Sequence, residues 1–204
     1  MVYLISDCYE RPFNLEFTDP ISSDWYHIDA GSQAADYRSP AAALTAALAV
    51  EDYAPDEPPA AFGAGYAFFC NDAFREIIEV LEPEVHDFVP MTLRYGEDQE
   101  EVDFPFYVVR PQVFIDALDV TRSDIDWCRI LTGDHYWRKK LNVPLRLAAP
   151  LLAGKHLWRT TASFGYTLIS NAVYREIHRQ KLLTCWAFEK QILTDAEMAP
   201  ALQV

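Results

Sequence analysis

Tyr66–Leu81 reads YAFFCNDAFREIIEVL, and one hundred positions later Tyr166–Leu183 reads YTLISNAVYREIHRQKLL. Each begins with a short apolar run suited to a buried strand and then meets polar residues able to cap a helix: Asn71 or Asp72 in the first, Ser170 or Asn171 in the second. Apolar residues then recur at helical spacing, Ala73, Phe74, Ile77, Ile78 and Leu81 in the first copy, Tyr174 and Ile177 in the second. Pro83 stops the first helix, and the second is expected to run to about Leu183. Arg75 with Glu76, and Arg175 with Glu176, are expected to point away from the apolar stripe. Strand-like segments follow both, VHDFVPMTLRY at 85–95 and CWAFEK at 185–190.

Working outward, MVYLIS at the start, LEFTD at 15–19 and FPFYVVR at 104–110 also read as strands. The predicted class is α+β: a mixed or antiparallel sheet with amphipathic helices packed on it, including two similar strand-helix-strand units. The simplest arrangement backs both capped helices onto one sheet. A further helix is expected from Pro40 to Val50, because Ser39 can cap it, Pro40 suits its first position and the interior is rich in alanine. Another is expected in DIDWCRIL, capped by Ser123 or Asp124. Residues 51–65, EDYAPDEPPAAFGAG, form an acidic connector or lid. A chain of 204 residues is read as a single domain, 1–204, with 1–60 an N-terminal segment of unassigned type.

Charge is unevenly distributed. Residues 1–126 hold 26 acidic and 6 basic side chains, net −20, whereas 127–204 hold 5 acidic and 11 basic, net +6. An acidic half repels phosphate backbones and membrane surfaces and attracts basic proteins, so nucleic acid and membrane are excluded as partners; the plainer reading is a solvated surface. HYWRKK at 135–140 mixes aromatic and basic residues as nucleic-acid contacts do, but it reads equally as the end of a helix. Asp7 follows too few residues for a secretory apolar region, no run approaches the ~20 apolar residues of a membrane span, and Cys8, Cys70, Cys128 and Cys185 occur singly, which together suggest a cytoplasmic protein with reduced thiols.

A search for chemistry finds little. Gly63–Gly65 precedes a strand, whereas a dinucleotide loop follows one. Ser163 in TASFG lacks the leading glycine of a nucleophile elbow. Asp124 and Asp126 suggest a metal pair or, more simply, a helix cap. The histidines, 27, 86, 135, 156 and 178, never fall at metal-ligand spacing, and Cys70 and Cys185 lie in apolar runs that suit core packing. No catalytic residue, metal site or cofactor is expected.

The segments FFCNDAFREIIEVLEPEVHDFVPMTL, FPFYVVRPQVFIDALDVTRSDI, with Asp116, Leu118, Asp119 and Ser123, and TLISNAVYREIHRQKLLTCWAF resemble, in that order and spacing, the immunity protein eleven family of bacterial polymorphic toxin systems. The resemblance covers roughly Phe68 to Gln191, within an immunity-protein-like region taken as 61–204. Cys70 and Asn71 stand where the family commonly has serine, and Thr184 or Cys185 replaces a usual glycine. It implies a non-enzymatic α+β protein that binds and neutralises a cognate toxin, one whose active-site surface is basic if the acidity here is used for contact. The expected contacts are Glu97, Asp98, Glu100, Glu101 and Asp103 between two strands, then Glu51, Asp52, Asp56 and Glu57. The alternatives are a small hydrolase with a Cys/His or Asp site assembled by the fold, and a regulatory adaptor.

Overall fold

The structure, a computed structural model, describes residues 1–7, 14–17, 44–49, 60–64, 67–95, 100–101, 105–129, 135–140, 142–160, 166–182 and 186–195. In chain order the strands and helices are β1 Val2–Asp7, β2 Asn14–Phe17, β3 Leu44–Ala49, β4 Ala61–Ala64, β5 Ala67–Asn71, α1 Asp72–Leu81, β6 Asp87–Tyr95, β7 Glu100–Glu101 and β8 Phe106–Arg110. They continue with β9 Ile125–Arg129, β10 His135–Lys139, β11 Arg146–Ala148, a 3-10 turn at Ala149–Leu152, β12 Leu157–Arg159, β13 Thr167–Ser170, α2 Asn171–Arg179 and β14 Trp186–Thr194. The chain is mixed α+β, as its patterning implied. It divides into two units, one of Met1–Ser6, Val113–Tyr174 and Phe188–Val204, the other of Asp7–Gln112 and Arg175–Ala187.

The second unit is built on a mixed seven-stranded sheet of order β2-β3-β6-β8-β5-β4, with β7 also on β6. β3 and β6 run parallel; β5–β8 and β6–β8 are antiparallel. Phe68, Phe69 and Cys70 on β5 and Phe106–Val109 on β8 are buried in succession, the mark of strands covered on both faces. α1 contributes Phe74, Ile77 and Ile78 to this core, and Phe74 meets Phe68 edge-on at 5.4 Å between ring centres. Asn71 is the cap: its Oδ1 accepts from the Phe74 amide at 3.2 Å.

The helix expected from Pro40 to Val50 is not formed over its described part, because Leu44–Ala49 is β3. This strand lies between β2 and β6, pairing Leu44–Ala47 with Met91–Arg94 on one side and Ala46–Ala49 with Asn14–Phe17 on the other. Alanine's local preference for helix amounts to tenths of a kcal/mol per residue, up to ~0.7 over ordinary alternatives. Two ladders of backbone hydrogen bonds outweigh it.

The first unit carries a five-stranded sheet of order β11-β14-β1-β13-β12. One segment ties both of its edges. The Ile115 amide donates to Arg159 and the Arg159 amide to Val113, both at 2.9 Å, along β12; the Ala148 amide donates to Ala117 and the Asp119 amide to Arg146, both at 2.8 Å, along β11. Residues 113–119 thereby give both edges backbone partners, which removes templates for unwanted pairing. Val2, Leu4, Ala117, Leu118, Leu145, Leu147, Leu152, Trp158 and Leu168 form the core. α2 follows β13, with Ser170 Oγ accepting from the Val173 amide at 3.3 Å, and Tyr174 stacks on Tyr3 at 3.9 Å.

The repeated strand-and-helix units therefore do not share one sheet: α1 follows a strand of the seven-stranded sheet and α2 a strand of the five-stranded one. α2 also ends at Arg179, short of Leu183, and Lys181 takes a left-handed conformation at φ 55° just beyond it. The helix expected in DIDWCRIL is instead β9, and HYWRK is β10 rather than a helix end. They pair antiparallel, with Trp127 opposite Trp137, so the segment is held by a cross-strand ladder and not by a helical one.

Candidate partner-contact surface

The charge asymmetry follows the division into units. The segments of the seven-stranded unit hold 23 acidic and 8 basic side chains, net −15, against 8 acidic and 9 basic in the other, net +1. Within the acidic unit, the connection from β6 to β8 carries five carboxylates in eight positions, Gly96–Asp103. β7 is part of it. Arg94 pairs with Glu101 and Tyr95 with Glu100 across the β6–β7 ladder, whereas β8 pairs Met91 with Phe106. The β6–β7 ladder thus ends at Arg94–Glu101 and the β6–β8 ladder at Met91–Phe106.

Glu101 is exposed, and its Oε1 accepts from Arg94 Nη2 at 2.8 Å. One of the five expected contact carboxylates is therefore partly neutralised within the chain. Glu100 is placed as a strand residue beside it; Glu97, Asp98 and Asp103 lie outside the described residues, as do Glu51, Asp52, Asp56 and Glu57. Of these carboxylates the structure places the side chain of Glu101 alone, against Arg94 at the end of β6.

Arg75 does not simply point into water. Its guanidinium lies 4.8 Å from the ring centre of Tyr107 and 5.6 Å from that of Phe88 while the side chain stays 40% exposed. Tyr107 donates to Asp72 Oδ1 at 2.8 Å, and burial first, then this hydrogen bond, pushes the phenol above its ordinary pKa. Phe88 and Tyr107 lie in segments read as strands from the sequence, but their pairing with Arg75 required the α1–sheet register.

Among the described residues, His86, His156 and Cys70 have structural work. His86 is buried; its Nδ1 accepts from the Gln112 amide at 3.2 Å, so the ring proton sits on Nε2 and is donated to Glu82 Oε2 at 2.9 Å. His156 Nδ1 lies 2.9 Å from the Ser170 hydroxyl that caps α2. Cys70 is buried and its thiol is held well above its usual pKa by burial, with opposing effects from Arg75 and Asp72, so it is a core residue with little thiolate. Cys8, Cys185, His27 and Ser163 lie outside the described residues. Among the described residues, no group of three His, Cys, Asp or Glu side chains is placed to hold a metal, and no helix is long and apolar enough to cross a membrane.

Both lysines of HYWRKK have carboxylate partners. Lys140 Nζ pairs with Asp124 and lies 3.9 Å from Asp126, and Lys139 Nζ pairs with Glu189. Asp124 and Asp126 thus serve as partners for a lysine and cap no helix. Two of the three consecutive cations already have carboxylate partners, which weakens any phosphate-binding stripe.

Residues 51–192 match the immunity protein family Imm11, more than half of the chain. The chain belongs to the Imm11 family. The Imm11 region begins before the resemblance read from the sequence, and takes in Glu51, Asp52, Asp56 and Glu57 with the β6–β8 connection. It also spans α1, α2 and most of both sheets. Comparison with curated proteins gives no match. Imm11 membership points to a toxin-neutralising immunity role, with a protein toxin as the partner.

Proposed function

We propose that this Imm11 protein neutralises a cognate bacterial toxin in the cytoplasm by covering it, without turnover, and that the contact runs through the acidic β6–β8 connection. Glu97, Asp98, Glu100, Glu101 and Asp103 are the principal contacts, with Glu51, Asp52, Asp56 and Glu57 secondary. The supporting observation is the concentration of charge, −15 on the unit that carries both runs. A field of this sign speeds encounter with a basic protein surface and rejects acidic ones.

Capture of the product of the adjacent reading frame from the native cell tests the toxin partnership. Stopped-flow association across a salt series tests the surface. Replacing Glu97, Asp98, Glu100, Glu101 and Asp103 with Ser and Asn should slow association and flatten its salt dependence. An on-rate unchanged at every salt concentration removes the acidic connection from the mechanism.

A further inference from the structure

The two repeated units carry different outer faces. Counted from the shared Arg-Glu-Ile, Glu76, Glu79 and Val80 of α1 correspond to Glu176, Arg179 and Gln180 at the end of α2. On α2 the outer carboxylate is answered: Arg179 Nη2 lies 2.7 Å from Glu176, and Arg179 puts a cation at the negative pole of the helix. On α1 it is not. The last turn of α1 holds no basic residue, and Glu79 there and Glu84 just beyond set negative charge against the same pole. Arg75, one turn before Glu79, is drawn over Tyr107 and Phe88 and lies 4.0 Å from Asp72. Among the described residues no ion pair reaches Glu76, Glu79 or Glu84. Val80, which neighbours Glu76 and Glu79 on the helix surface, is 80% exposed, the most of any large apolar side chain described. Since α2 builds the same scaffold element with a neutralised, polar outer face, packing does not dictate the charge and the valine on α1.

We propose that Glu76, Glu79 and Val80, with Glu84, form an anchor on the outer face of α1 for a cationic patch of the cognate toxin that also offers an apolar contact; this rests on the toxin-binding reading above. Charge complementarity selects the occupant. Asp72, Glu76, Glu79 and Glu84 against Arg75 leave −3 on this face, within a unit of the same sign. Phosphate-bearing partners, and a second copy presenting the same face, are therefore repelled. A lysine or arginine of the toxin seated there pairs with Glu76 and Glu79 and supplies the cation missing from the helix pole, while its apolar neighbours cover Val80. A free cation would leave Val80 in water, whereas a basic protein surface uses both features. The β6–β8 connection lies at the other end of β6 from the strand end that follows α1. It serves long-range encounter, and the α1 anchor serves residence time.

Dissociation rates of the full chain from the purified product of the adjacent reading frame test this. Glu79→Arg combined with Val80→Gln copies the α2 pattern onto α1. The double variant should keep or raise the melting temperature, because Glu76 gains a partner, yet release that product about tenfold faster. Val80→Gln alone, which leaves every charge in place, should speed release about threefold. A wild type that leaves the product unbound removes the immunity reading and this anchor with it. Wild-type binding with both variants releasing at the wild-type rate overturns the anchor alone. Self-association of the chain without toxin, abolished by Val80→Gln, would assign the face to a second copy and overturn it as well.

Discussion

His86 and Glu82 form a buried pair, Nε2 to Oε2 at 2.9 Å, four residues apart at the C-terminal end of α1. The Gln112 amide holds the opposite ring nitrogen just beyond β8, and the Gln112 side chain donates to Asp87 Oδ2 at 2.7 Å at the start of β6. The imidazole is thus a bolt between helix end and sheet, with both nitrogens engaged. Glu82→Ala leaves a buried N–H without its acceptor and should cost about 1–3 kcal/mol, read from denaturant midpoints. Nitrogen chemical shifts of His86 should show the Nε2–H tautomer at neutral pH; an Nδ1–H tautomer would contradict the bolt.

Phe74 and Val80 lie on different faces of α1, fully buried and 80% exposed respectively. Phe74→Ala empties a site against Phe68 and should cost about 3–5 kcal/mol. Val80→Ala should change stability by less than about 0.5 kcal/mol. Equal effects in chemical denaturation would mean that the helix does not present the face described.

What the sequence revealed depended on whether local patterning and tertiary pairing agreed. In β5–α1 they agree: an apolar run, an Asn71 cap and a helical stripe ending before Pro83 each specify the same structure. In Leu44–Ala49 they conflict, because alanine favours helix and only neighbours distant in sequence, Asn14–Phe17 and Met91–Arg94, supply the strand ladders. Asp124–Arg129 fails for a related reason: aspartates that could cap a helix instead meet Lys140 across a hairpin. The carboxylates of the β6–β8 connection were legible as a charge run. Their partial neutralisation was not, since nothing in spacing alone brings Arg94 to Glu101 across the β6–β7 ladder.

That ion pair gives a test of opposite sign to carboxylate removal. Glu101 is exposed and the Arg94 side chain 38% so, and an ion pair this open to water contributes little, so Arg94→Gln should change stability by no more than about 1 kcal/mol. Losing the cation makes the connection more negative and releases Glu101. Association with a basic toxin should then quicken by roughly two- to threefold at low salt and return to the wild-type rate at high salt. A slower association would assign Arg94 itself to the contact.

Asp116 sits between the two halves of the segment that ties the edges of the five-stranded sheet, and is half-buried. Burial raises its carboxyl above the usual range, against a smaller lowering by a hydrogen bond from the Leu118 backbone. A raised folded-state pKa means that the folded chain holds this proton more tightly than the unfolded one. Ionised Asp116 therefore opposes folding above its folded pKa, and the cost fades as pH falls through that value toward the unfolded one. Asp116→Asn keeps an acceptor for the Leu118 amide while removing the charge. It should raise the melting temperature at pH 7, with the gain shrinking on acidification and vanishing near the unfolded carboxylate pKa. A variant less stable than the wild type at pH 7, or a gain independent of pH, would show that the charge of Asp116 is well accommodated in the fold.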